Sequence, residues 1–178
     1  MGKLIRYADD FVVISKTYEN IIEAEKVIRY FMFKLELTLN KDKTNIVSLW
    51  KNSFDFLGHT NRKIKSKTRS GRVYYKLEQY ISNKSKSRIK DKIKHILARN
   101  TLYFELKDRI YELNQKIPGW RNYYKATSYK RMVQIDKYIA MRLIIWYNAK
   151  RQRRKRYQYN EIYRLIRSLG LKYLIYKS

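Results

Sequence analysis

The chain has 178 residues and a formal net charge of +27, from 42 Lys and Arg against 15 Asp and Glu. Cysteine is absent, which excludes disulfides and thiolate metal sites. No apolar run approaches the roughly 18 residues of a membrane span. So large an excess of positive charge repels itself and favours a polyanionic partner. A secretory signal is not expected either, because Asp9 and Asp10 interrupt the first apolar stretch. The expectation is a soluble intracellular protein, not secreted, with one ordinary core or two small ones. The charge is divided unevenly. Residues 1–60 hold 9 basic and 8 acidic residues, a net of +1, and residues 61–178 hold 33 and 7, a net of +26. Two functional parts are expected from this division.

In chain order, Leu4–Tyr7 and Phe11–Ile14 read as short strands around a turn at Ala8-Asp9-Asp10. Tyr18–Leu35 reads as a helix with Thr17 as N-cap, its apolar positions Ile21, Ile22, Val27, Ile28, Phe31 and Leu35 near helical spacing. Asn45–Trp50 and Phe54–Thr60 read as a third and a fourth strand. Arg62–Tyr75 reads as a basic hairpin turning at Ser70-Gly71. From about Ser82 the pattern becomes helical. Ile89, Ile93, Ile96 and Leu97 make one stripe, and Leu106, Ile110, Leu113 and Ile117 a second, which Pro118-Gly119 is expected to stop. Met132, Ile135, Ile139, Leu143 and Trp146 make a third, and a shorter helix over Asn160–Ser168 ends at Gly170. The boundary between the β-like and helical parts is expected within residues 76–84. His59 and His95 have no Cys or paired-His spacing and read as packing or surface residues.

Asp9 and Asp10 are the residues richest in chemistry. Adjacent carboxylates repel unless a positive group sits between or beside them. Magnesium takes hard carboxylate oxygens and bridges to phosphates, so the pair reads as a magnesium site. An ordinary acidic turn is the other reading, since turns favour Asp for local hydrogen bonding. In the basic remainder, Lys84, Lys86, Arg88, Lys90, Lys92 and Lys94 put charge on several sides of one helix. Such a surface binds phosphate backbones with little sequence preference. Lys150, Arg151, Arg153, Arg154, Lys155 and Arg156 form a run that is either a further phosphate contact or a solvated helix end. Tyr74, Tyr75, Tyr123 and Tyr124 are candidates for stacking on bases, against core packing as the alternative, which is favoured for Tyr123, Trp120 and Trp146.

Four blocks carry a family resemblance. Tyr7-Ala8-Asp9-Asp10-Phe11-Val12-Val13 resembles the active-site hairpin of group II intron-encoded reverse transcriptases. Leu39-Asn40-Lys41-Asp42-Lys43-Thr44 resembles the next block, and Phe54-Asp55-Phe56-Leu57-Gly58-His59 the one after. Leu113-Asn114 with Gly119-Trp120-Arg121-Asn122-Tyr123-Tyr124 resembles the maturase-specific signature. They stand in family order and span most of the chain.

The resemblance implies an α+β fold: a small antiparallel palm-type sheet with one packed helix over residues 1–78, then a thumb of three or four helices, the maturase (X) domain, over 79–178. It implies RNA-directed DNA polymerisation with Mg²⁺ as the parent activity. Asp9 takes the role of a metal ligand, Asp10 that of the second acid, and Lys43 that of an aid to the leaving pyrophosphate. Tyr7 would lie by the primer terminus or incoming nucleotide, and Phe56, Leu57 and Gly58 in the primer-gripping hairpin. Arg121 and Lys125 join the basic helices as contacts to intron RNA or an RNA/DNA hybrid. The sequence departs from the family in two places. Pro118 stands where arginine commonly precedes Gly-Trp. Moreover, the other catalytic aspartate lies upstream in the family, whereas Met1–Arg6 contain no acid, and the fingers and first palm half are not in this sequence. Two neighbouring acids cannot surround two octahedral ions, so the chain alone is not expected to polymerise DNA. Three readings follow: a partial maturase binding intron RNA, an enzyme completed by a separate chain supplying fingers and palm, or a non-catalytic basic RNA-binding remnant.

Overall fold

The computed structural model describes residues 2–40, 42, 44–151 and 159–175. Ten regular elements follow in order: β1 (Lys3–Tyr7), β2 (Asp10–Ile14), α1 (Tyr18–Lys34), β3 (Phe54–Phe56), β4 (His59–Lys67), β5 (Val73–Ile81), α2 (Asn83–Ile96), α3 (Leu106–Tyr123), α4 (Tyr129–Lys150) and α5 (Tyr159–Ser168). The class is α+β, with a two-stranded antiparallel sheet β1-β2 and a three-stranded one ordered β3-β4-β5. Two compact units emerge. One comprises Met1–Leu57 and Asn61–Glu78, the other Gly58–Thr60 and Gln79–Ser178.

In the first unit, β1 and β2 pair with Tyr7 opposite Asp10, Ile5 opposite Val12 and Lys3 opposite Ile14. Thr17 caps α1, accepting from the Asn20 amide at 3.4 Å. The helix touches β2, yet none of its residues is fully buried. Ile21, Ile22, Ile28 and Met32 are half-buried, while Val27, Phe31 and Leu35 remain exposed.

Two strand expectations are corrected here. Asn45–Trp50 is not a strand. The Ser48 carbonyl accepts from the amides of Lys51 and Asn52, which bends the chain into a turn. Phe54–Thr60 is not one strand but two, β3 and the start of β4, because Leu57 (φ 48°) and Gly58 (φ 75°) are both left-handed and reverse the chain. The basic hairpin is also longer than its sequence signal. β4 and β5 each run nine residues, and the turn is closed by the Thr68 amide donating to the Arg72 carbonyl at 2.9 Å, with Gly71 at φ 82°.

The second unit holds the core. Ser82 caps α2 by accepting from the Ser85 amide at 3.2 Å. The stripe Ile89, Ile93 and Ile96 is buried against α3 and α4, and α4 packs on α5. Leu113, Ile117, Ile135, Ile139, Leu143 and Ile166 are sealed from solvent. Trp146 is buried too, its Nε1–H donating to Thr101 Oγ1 at 2.9 Å. A further correction falls in α3, which does not stop at Pro118 but carries it inside and continues to Tyr123. Proline forfeits the bond to the Asn114 carbonyl and crowds that carbonyl with its ring, at about 3 kcal/mol. Burial of Leu113, Ile117 and Tyr124, with the Tyr124 amide bonded to the Trp120 carbonyl at 2.9 Å, outweighs that loss. After α5, Gly170 (φ 78°) turns the chain out of the helix.

Candidate functional site

The acidic hairpin comes first. The link between β1 and β2 has two residues, Ala8 and Asp9, and so short a hairpin needs a left-handed residue at its first position. Ala8 supplies it at φ 49°, braced by Arg6 Nε–H donating to its carbonyl at 2.8 Å. Asp10 opens β2 directly opposite Tyr7, so their side chains share one face of the ladder. Tyr7, Asp9 and Asp10 are all exposed.

The donor chemistry of this turn suits magnesium, because carboxylate oxygens are its preferred ligands. The number of donors does not suffice. Among the described residues no group of three or more His, Asp or Glu side chains converges to hold a metal ion. Two successive carboxylates at one turn leave most of an octahedron unfilled. By itself the hairpin does not fill a magnesium shell, and no chemical step through an ion follows from it.

Of the other candidates near the sheet, Phe56 and Leu57 are half-buried around the β3–β4 turn. Gly58, in the second unit, is packed so closely that a Cβ there would lie 2.8 Å from Ser85 Oγ and 3.4 Å from the Tyr124 hydroxyl. Its carbonyl accepts from the Ser82 amide at 3.0 Å. The neighbouring His59 ring sits 5.2 and 5.1 Å from the rings of Tyr123 and Tyr124. Gly58 thus seats the start of β4 on α2 and α3, whatever else it does. Lys43 lies outside the described residues, as do Arg153, Arg154, Lys155 and Arg156.

The basic helices differ in how freely their charges are presented. On α2, Lys84, Arg88, Lys92 and Lys94 are exposed; Lys94 pairs with Asp91 at 3.1 Å. Lys86 donates to Gln134 Oε1 at 3.0 Å, and Lys90 lies 5.0 Å from the Tyr138 ring. Lys125 is exposed. Lys150 donates to the Leu102 carbonyl and pairs with Glu105 at 3.2 Å. Arg151 lies 4.9 Å from the Tyr147 ring.

Arg121 has an internal task that sequence reading did not anticipate. It donates to the Tyr173 carbonyl as one of three side chains holding the backbone that follows α5. Asn114 on α3 donates to the Gly170 carbonyl at 2.9 Å and accepts from the Lys172 amide at 2.8 Å. Asp136 on α4 accepts from the amides of Leu174 at 2.8 Å and Ile175 at 3.3 Å. Burial raises the Asp136 carboxyl above its ordinary value, opposed by those two amides and the Arg121 charge. The signal was a lone acid beside Ile135, on the edge of a buried helical stripe.

Asp136→Ala would leave two amides without acceptors, one of them on the buried Leu174. At about 1–3 kcal/mol for a buried unmet group, the expected loss is roughly 2–4 kcal/mol, read by chemical denaturation. The pH dependence has a definite sign. A carboxyl whose folded pKa is raised binds its proton more tightly in the folded state, so its contribution falls as pH rises from 3.8 through the folded value. The stability of wild type relative to Asp136→Asn should therefore decline across that window and level off above it.

Two family comparisons coincide with these two regions. The family described as Reverse transcriptase (RNA-dependent DNA polymerase) matches residues 2–61, which hold the acidic hairpin, α1, β3 and the start of β4. The family described as Group II intron, maturase-specific domain matches residues 86–164, from α2 into α5. No curated protein matches the chain. The chain is thus similar to a reverse transcriptase over its first third and to a group II intron maturase-specific domain over much of its helical part.

Proposed function

We propose that this chain binds structured group II intron RNA through its basic helical unit and assists splicing, and that it does not polymerise DNA alone. The observation that carries the reading is the charge: residues 61–178 have a net of +26, and the maturase-specific match falls within them. Lys84, Arg88, Lys92, Lys94 and Lys125 are solvent-exposed, where they can meet phosphates without first being desolvated. In this reading the helical unit is the thumb, and Asp9 and Asp10 contribute one edge of a magnesium site whose remaining donors come from elsewhere.

The test has two arms. In the first, the purified chain is added to its intron transcript at near-physiological magnesium, and spliced product is followed with time. Acceleration that survives Asp9→Ala is expected; no acceleration and no RNA binding would sink the reading. In the second, primer extension on an RNA template is expected to give no dNTP incorporation, and robust incorporation would refute the second half of the proposal.

One observation favours an enzyme completed by a separate chain. In the first unit Leu4, Phe31, Leu35 and Leu37 are each more than half exposed, and Phe33 is 81 % exposed. So many large apolar side chains in contact with water point to a covering partner. Co-purification of a chain that buries them and restores primer extension supports this second reading.

A further inference from the structure

Within the first unit, Trp50, Lys63 and Tyr75 form a cluster that the acidic hairpin does not use. The Trp50 and Tyr75 rings meet edge to face at 4.9 Å and 77°. Lys63 Nζ stands 3.2 Å above the Trp50 ring and 5.5 Å from the Tyr75 ring. The arrangement is ordered yet open to solvent: Trp50 is 65 % exposed and Tyr75 50 %. An aromatic pair held this way spends little entropy when a flat ligand stacks on it.

Strand alternation extends the cluster into a surface. Side chains two apart share a face, so Lys65 and Lys67 follow Lys63 on β4, and Val73 and Leu77 flank Tyr75 on β5. Arg62 and Glu78 hydrogen-bond at 2.6 Å on the opposite face, which confirms the alternation. The three lysines lie about 6.7 Å apart, close to the interval between successive phosphates of an extended strand. Among the described residues neither Lys65 nor Lys67 is held in an ion pair. Residues 61–78 carry seven basic residues and one acidic residue, so the complementary ligand is an anion.

We infer that this hairpin face is a landing site for an unpaired segment of RNA, with a base stacked on Trp50 and its backbone along Lys63, Lys65 and Lys67. The inference rests on the RNA-binding reading above and adds a place and a substrate form. An unpaired strand is selected because a duplex buries its base faces against one another, whereas a single strand can offer them to an aromatic ring. Lys63 already covers one side of the Trp50 ring, and the base takes the exposed side.

The test compares binding of the full chain to fluorescein-labelled oligouridylate and to an RNA duplex of equal length, by anisotropy at fixed salt. Trp50→Ala is expected to weaken oligouridylate binding about tenfold and leave duplex binding within about twofold. Trp50→Phe should recover most of the loss, since it keeps a π-face. Changing Lys65 and Lys67 to Ala should lower the salt slope for the single strand by about 1.4, at about 0.7 per phosphate. Wild type that binds oligouridylate while Trp50→Ala has no effect, or weakens both RNAs equally, overturns this assignment alone. Capture of a protein partner by this face in place of RNA overturns it too. Wild type that binds neither RNA sinks the RNA-binding reading, and this inference with it.

Discussion

RNA affinity of this protein is expected to fall by about a thousandfold or more when monovalent salt rises from 50 to 200 mM. Each phosphate neutralised by Lys or Arg releases condensed counterions, and a protein making six to ten such contacts loses roughly 10³–10⁵ in affinity over that range. The exposed cations Lys84, Arg88, Lys92, Lys94 and Lys125 lie in the helical unit, and Lys65 and Lys67 in the hairpin, which brings the count into that range. Lys86 and Lys150 already have partners within the protein, so they are expected to add less. A filter-binding series over four salt concentrations checks this. A slope of log affinity against log salt shallower than about −3 would mean that most of the charge never meets RNA. Removing Arg88 and Lys92 together should reduce the slope by about two without changing sequence preference, because phosphate contacts carry no base information.

Leu143→Ala is expected to cost about 3–5 kcal/mol, which is a large share of the stability of a domain this size. Leu143 is 0 % exposed, in one cluster with Ile93, Leu113, Ile117, Ile139 and Ile166. Trimming it opens a cavity where helices from four parts of the sequence converge. Phe33→Ala removes a larger side chain, yet should cost less than about 0.5 kcal/mol, because Phe33 is 81 % exposed and loses almost no packing. Trp146 provides the readout, since its indole is buried in the helical unit and bonded to Thr101. Its emission should report earlier unfolding in Leu143→Ala and an unchanged midpoint in Phe33→Ala. If the two variants unfold alike, the helical unit does not hold the stability assigned to it. Hydrogen exchange should show the same asymmetry, slow over α3 and α4 and fast over α1, where no side chain is fully buried.

The helices were legible because their stripes repeat locally. Ile89, Ile93 and Ile96, or Ile135, Ile139 and Leu143, recur at the period that turns one face inward. The acidic hairpin was legible because two strands and a short turn lie within a dozen residues. Where the reading failed, a local rule met a nonlocal force. Pro118 looked like a stop, but burial of its neighbours carries α3 through it. Asn45–Trp50 has strand-like residues, but among the described residues no strand pairs with them, and Ser48 turns the backbone. Leu57 gave no sign of a left-handed conformation, which a leucine seldom adopts. The three side chains that hold residues 170–175 could not be foreseen, since they come from positions 114, 121 and 136.

Those three holders have a consequence for how this protein can change. Asn114, Arg121 and Asp136 hold that segment by hydrogen bonds to its carbonyls and amides. Every amino acid except proline offers the same groups. Exposed Lys172 can therefore be exchanged for almost any other residue without loosening that grip. The holders themselves have no such latitude. A protein built this way can rewrite the exposed positions of this segment, Lys172 among them, while the backbone holds beneath stay blind to the lettering and buried Leu171 and Leu174 stay fixed.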